Sequence, residues 1–227
     1  MSYNHQQIAI DGPAASGKST VAKRVSEALG ACYVNTGEMY RTVAWLVHRR
    51  GVPHKDHAAI EALLQTVDVS YQPIAEGKLE LMLNGEPVDR DLIRAPEVTQ
   101  IVSQVSAIPA VRHWLVARQR ESAERGFIVM EGRDIGTVVL PQARHKFFVT
   151  ASPLERARRR LSQAGETIDG STLESVAAEI AERDRIDSTR AMSPLKPAED
   201  AIIVDNSEMT IDETVKAVIA QIQSQKD

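Results

Sequence analysis

Little in this sequence is built for a disulfide, a membrane or a nucleic acid. One cysteine, Cys32, stands among 227 residues. That excludes an internal disulfide framework and a multi-cysteine zinc site, and leaves packing as its expected role. Tryptophan, tyrosine and phenylalanine make up only 4% of the chain, and the formal net charge is −4. A nucleic-acid surface needs an excess of cations and aromatic platforms for bases, so that class is disfavoured. No apolar run approaches the roughly 20 residues that cross a bilayer. The first residues, Met1 to Gln7, lack a basic stretch followed by an apolar one. A soluble, cytoplasmic protein without membrane or nucleic-acid partners is therefore expected.

What is present is alternation. Short apolar stretches at 8–10, 32–34, 127–130, 146–149 and 201–204 are separated by longer segments of helical period, the pattern of an α/β fold with a parallel sheet flanked by helices. At 18–29, Val21, Val25, Ala28 and Leu29 share a face, and Gly30 marks the stop. At 37–50, Met39, Val43, Leu46 and Val47 do the same, ending at Gly51. Further helices are predicted near 56–65, 96–106, 110–125 and 211–222. Residues 78–83 instead alternate with period two and run into Asn84-Gly85, a hairpin signal, so 66–92 reads as a small antiparallel insertion. Capping boxes at Ser152-Pro-Leu-Glu155 and Ser171-Thr-Leu-Glu174 start helices on either side of a polar loop at 162–171. His54-Lys-Asp-His57 reads as a solvated connector rather than a metal site, because no third and fourth ligand stand nearby. Trp45 and Trp114 read as packing residues. For Tyr40, packing and a ligand contact both stay open.

The strongest motif is Gly12, Pro13, Ala14, Ala15, Ser16, Gly17, Lys18 and Ser19, followed by Thr20. It matches the phosphate-binding loop and lies between a predicted strand and a predicted helix, the context that gives the pattern meaning. Glycines let the backbone wrap so that N–H groups face phosphate oxygens, and the helix presents its positive end to the same anion. Lys18 is expected at the β- and γ-phosphates of ATP. Ser19 is expected to offer its hydroxyl to Mg2+. The loop fixes the phosphate donor and leaves the acceptor open.

A phosphorylated acceptor needs several cations converging from separate elements. Arg41, Arg133, Arg183, Arg185 and Arg190 are the candidates, and in open parallel sheets ligands bind beyond the carboxyl ends of strands, where Thr36, Arg133 and Asp134 fall.

Four separated stretches carry a resemblance: Asn35-Thr-Gly-Glu-Met-Tyr-Arg41; Ser103-Gln-Val-Ser with Pro109 and Arg112; Glu131-Gly-Arg-Asp-Ile-Gly-Thr137; and Glu182-Arg-Asp-Arg-Ile-Asp-Ser-Thr-Arg190. Together they resemble the bacterial cytidylate kinases over nearly the whole chain. The resemblance implies a five-stranded P-loop kinase domain over 1–227, a monophosphate-binding region at about 36–112 that includes the insertion, a helical lid at about 156–172, and a monomer. It implies transfer of the γ-phosphoryl group of MgATP to CMP and dCMP. Arg41, Arg133 and Arg190 would bind the acceptor phosphate, Ser103, Arg112 and Asp134 would read cytosine, and Arg183 and Asp187 would hold the ribose. Lys18, Arg133 and Arg190 would carry the catalytic charge. Cytosine offers an N4 donor beside N3 and O2 acceptors, which suits a carboxylate and a guanidinium; uracil reverses two of those groups. Thr36 stands where some members have serine, and Glu131 where many have aspartate. A lid arginine is expected at ATP. Spacing does not choose among Arg156, Arg158 and Arg160, and Arg158 is taken to represent them. Asp205-Asn-Ser207 reads equally as an adenine neighbour or a plain turn. The competing classes are another monophosphate kinase, for UMP or dTMP, and a nucleotide-dependent switch. The latter is disfavoured because the chain lacks the Asn-Lys-x-Asp string of GTPases and the Leu-Ser-Gly-Gly-Gln string of transporter ATPases.

Overall fold

The computed structural model describes residues 7–162, 167 and 170–224. The chain runs β1 (Gln7–Asp11), α1 (Lys18–Leu29), β2 (Cys32–Asn35), α2 (Thr36–Arg49) and α3 (His57–Leu64). It continues through β3 (Val69–Ala75), β4 (Lys78–Leu83), β5 (Glu86–Pro87), α4 (Arg90–Arg94), α5 (Pro96–Ala107) and α6 (Pro109–Ala123). After β6 (Ile128–Gly132) come a π-helical turn (Ile135–Val139), β7 (His145–Thr150), α7 (Pro153–Leu161), α8 (Leu173–Thr189), β8 (Ile202–Asp205) and α9 (Ile211–Ser224).

Period-two side-chain alternation, with both faces apolar, makes the central sheet a buried layer. Ile8 and Ile10 of β1 join Val21, Val25, Val129, Phe147 and Val218 in one core. Ala9 between them faces the opposite core, with Val34, Met39, Val43, Leu115 and Met130. Each fully buried aliphatic side chain contributes roughly 1.5–3 kcal/mol over an exposed one. Half-buried Cys32 packs against the second core, in line with its expected role. The five strands are parallel in the order β2-β6-β1-β7-β8, the expected class.

The insertion is a three-stranded antiparallel sheet, β3-β4-β5. Asn84 and Gly85, both at positive φ (53° and 85°), make the tight turn from β4 to β5. The longer hairpin, β3–β4, turns earlier, at Glu76-Gly77. Two local expectations need correction. Ser152 does cap α7, accepting from Glu155 N at 3.3 Å, but the Glu155 carboxylate pairs with Arg159 instead of completing a box. The second box sits one residue later: Thr172 and Ser175 exchange the reciprocal bonds. The helix α4 and the π-helical turn were not predicted. Part of the expected lid, 163–166 and 168–169, lies outside the described residues.

Candidate active site

Strand register assembles the site before any side chain acts. Asp11 lies opposite Gly132 on β6, and Asn35 opposite Glu131. The segments after β1, β2 and β6 therefore leave the sheet side by side. Two close approaches fix this junction. A Cβ on Gly12 would stand 2.0 Å from the Val149 carbonyl oxygen, and one on Gly132 2.5 Å from Thr36 Oγ1; no side chain fits at either position. Asp11, buried at the end of β1, accepts from the N–H groups of Ile135 and Gly136, both at 2.8 Å. That joint positions Arg133 and Asp134 relative to residues 12–19. Burial outweighs those hydrogen bonds and pushes the Asp11 carboxyl up to about 7.

The loop itself has the form expected from its sequence. The helix α1 starts at Gly17 with no side-chain cap, so its first N–H groups are presented to the cavity in front of it. Lys18 is buried and donates from Nζ to Pro13 O at 2.9 Å. Burial first, then repulsion from Arg133, lowers its ammonium to about 7. A neighbouring anion would reverse that shift. The hydroxyl of Tyr33 donates to Glu131 Oε1 (3.3 Å) and lies 3.4 Å from Ser19 O, which brings the Glu131 carboxylate beside the start of α1.

The loop forms one end of a cavity of about 170 Å³ lined by eight cationic side chains and four carboxylates. Lys18, Arg41, Arg94, Arg112, Arg133, Arg160, Arg183 and Arg190 face it, with Glu38, Glu131, Asp134 and Asp187. At the far end, fully buried Arg112 donates to Asp134 Oδ2 at 2.5 Å and to Ser106 O at 3.2 Å, and its guanidinium lies over the Tyr40 ring. Arg190 stands 3.8 Å from Asp134 and 3.6 Å from Asp187, and Arg133 Nε donates to Asp187 at 3.0 Å. Thr36 donates to Glu131 O at 2.8 Å. Arg41 donates to Ile93 O and Thr99 Oγ1. Burial and crowding by Arg183 lower both Arg41 and Arg160 to about 9, and burial lowers Arg183 and Arg190 as well.

Most predicted site residues thus meet in one cavity: Ala14 to Thr20, Thr36, Arg41, Ser103, Arg112, Arg133, Asp134, Arg183, Asp187 and Arg190. Gly12 and Pro13 shape the loop from behind. Arg158 is not brought in. Its side chain is 62% exposed beside Glu155, because helical spacing turns Arg160, two residues on, toward the cavity instead. Arg156 and Arg159 grip the loop's outer side: Arg156 donates to Ala14 O and Arg159 to Ser16 O, each at 3.2 Å. Asn206 joins them, donating to Ser16 O at 3.1 Å. Arg185 lies exposed, paired with Glu182. Tyr40 lines the cavity and is also core.

Sequence reasoning missed two contributors. Arg94, paired with buried Glu38 at 2.8 Å, enters from the unpredicted helix α4, whose signal was the Asp89 cap. Tyr71 of β3 donates to Asn35 O and accepts from Asn35 N, each at 3.1 Å. Since Asn35 caps α2, the insertion props the segment carrying Thr36 and Arg41.

A family model described as cytidylate kinase matches residues 8–224. The chain is 49% identical to a cytidylate kinase of Pelotomaculum thermopropionicum over 220 residues, covering 96% of each, and 49% identical to one of Desulforamulus reducens over 225 residues, covering 98% of this chain and 99% of that one. Among solved structures, a shikimate kinase from Bacteroides thetaiotaomicron shares the fold at a TM-score of 0.50 and 11% identity, covering 96% of this chain and 98% of that one.

Proposed function

The chain belongs to the cytidylate kinase family, and from that premise we propose that it transfers the γ-phosphoryl group of MgATP to CMP and dCMP, giving ADP and CDP or dCDP. The observation that carries this is the cavity's charge: a phosphate loop at one end, a buried Arg112–Asp134 pair at the other, and an excess of four positive charges between and around them. Burial and mutual repulsion depress these cations, and two phosphorylated ligands meeting there would relieve both.

The chemistry asks little of any base. A phosphate oxygen of CMP attacks the γ-phosphorus in line as the bond to the β,γ-bridging oxygen breaks and ADP leaves. Lys18, Arg133 and Arg190 stabilise the charge carried through transfer, with Arg41 and Arg160 as further cations. Asp134 accepts from cytosine N4, Arg112 donates to its ring acceptors, Ser103 lies beside them, and Arg183 and Asp187 hold the ribose. The Tyr33 hydroxyl bonds the Ser19 carbonyl and the Glu131 carboxylate, and residues 19 and 131 both line the cavity; the Ser19 hydroxyl and Glu131 carboxylate are hard oxygen donors, a set that suits Mg2+. When bound, that ion neutralises charge on the β- and γ-phosphates. Residues 36–112 form the acceptor region and 156–172 the lid of a single domain that works as a cytoplasmic monomer; among the described residues no helix is long and apolar enough to cross a membrane. A coupled assay across CMP, dCMP, UMP, AMP and dTMP tests the assignment. CMP and dCMP should react fastest, and equal rates with UMP would defeat cytosine recognition.

A further inference from the structure

Residue 14 of the phosphate loop is held from three directions by the two helices that flank the lid. Its methyl group is buried in a small apolar cluster with Ala157 of α7 and Val176 and Ile180 of α8. Its N–H donates to Asp184 Oδ1 of α8 at 3.3 Å, and its carbonyl accepts from Arg156 Nη1 of α7 at 3.2 Å. Arg156 and Asp184 close the ring by pairing with each other, and Arg156 Nε donates to Ala151 O at 3.2 Å. The next residue, Ala15, stands at φ 57°, a left-handed conformation that an L-residue keeps only where its surroundings impose it. The same helix α8 carries Arg183 and Asp187 into the acceptor cavity. One face of α8 therefore touches the donor loop and the adjoining face the acceptor end.

We propose that Asp184 and Arg156 are positioning residues for the donor nucleotide: they fix both backbone groups of Ala14, so that Ala15 keeps its left-handed turn and the loop that follows stays aimed at the triphosphate. Neither side chain needs to touch ATP. The proposal rests on the loop being the ATP subsite, as above. It adds a mechanical link, because side chains within α7 and α8 bond the loop's own backbone and hold it in shape.

The test uses the full chain carrying Asp184→Asn, which keeps an oxygen for the Ala14 N–H but deprives buried Arg156 of its counter-charge. Asp184→Glu and Arg156→Lys serve as conservative variants. ATP affinity is measured by titration calorimetry without acceptor, KM for ATP and for CMP separately by initial rates, and melting temperature alongside. D184N should weaken ATP about tenfold in both Kd and KM, leave KM for CMP within about twofold, and be partly rescued by D184E. Wild-type ATP affinity in D184N, with or without a lower melting temperature, would overturn the proposal. So would equal weakening of ATP and CMP, the mark of general structural support. Should D184N not fold, R156K is judged by the same split. A wild-type protein that binds ATP yet leaves CMP unphosphorylated would sink the acceptor assignment, while the variants' ATP affinities would still decide the clamp.

Discussion

Replacing Asp134 by asparagine should separate what this carboxylate does for the fold from what it does for the base. It is 4% exposed, bonded to Arg112 at 2.5 Å, and 3.8 Å from Arg190. At an effective dielectric near 20, the Arg190 contact alone has a gross attraction of about 4 kcal/mol. Desolvation offsets much of that, and breaking a buried pair costs roughly 3–5 kcal/mol net. Asparagine keeps one acceptor toward Arg112, so about 3 kcal/mol is expected, a fall in melting temperature of about 6–12 °C for a chain of this size. Catalysis should respond differently for each base. Losing the proposed charge-assisted bond to cytosine N4, about 1.5–3 kcal/mol, should lower kcat/KM for CMP by roughly 10- to 150-fold. The new amide can donate to uracil O4, so UMP should lose far less, and the CMP/UMP ratio should contract at least about tenfold. The assay is initial-rate kinetics with both acceptors at saturating ATP, beside thermal unfolding. A ratio that holds while the protein melts earlier would show that Asp134 supports the fold without reading the base.

Three further outcomes follow from particular contacts. Arg158→Ala should leave kcat within about twofold, whereas Arg160→Ala, removing a cavity cation, should lower it roughly 10- to 100-fold; the reverse order would reinstate Arg158 as the lid contact. Tyr71→Phe strips a donor and an acceptor from the Asn35 backbone, and should cost about 1–3 kcal/mol in denaturant unfolding while raising KM for CMP and sparing KM for ATP; equal shifts in both would contradict a role confined to the acceptor side. Because burial and Arg133 hold Lys18 down to about 7 and a phosphate would raise it, ATP binding should take up a proton and weaken by up to about tenfold per pH unit above 7. Calorimetry in buffers of different ionisation enthalpy reads that uptake. Its absence at pH 8, or its persistence in Lys18→Met, would refute the assignment.

The central sheet was legible because its signal is local. Apolar runs such as 8–10 and 127–130, each bounded by polar or turn residues, become buried parallel strands in place. The phosphate loop was legible for the same reason, its meaning residing in eight consecutive residues between a strand and a helix. What stayed hidden depended on direction rather than position. Arg156, Arg158, Arg159 and Arg160 lie on one helix and differ only in the way each points, so the exposure of Arg158 and the burial of Arg160 follow from how α7 packs on α8, which a string of arginines does not record. Tyr71 carried no signal of its own within the 66–92 insertion; its contact with Asn35 spans 36 residues. The short helix α4 has a cap at Asp89 but only five residues, too few for its period to stand out. Most residues lining the cavity were visible through motif resemblance, and its Arg112–Asp134 pairing, two residues 22 apart on different elements, through geometry alone.

The order of strands also sets when this protein can work during its own synthesis. β1 lies between β6 and β7, so the loop at 12–19 is made before either neighbouring wall: one is complete only at residue 132 and the other at residue 150. The residue that closes against Gly12 is Val149, and the clamp on Ala14 arrives later still, with Asp184. The loop's shape therefore depends on long-range pairings that must wait for distant sequence. Of the segments that build this site, the loop is made before the residues that give it its shape.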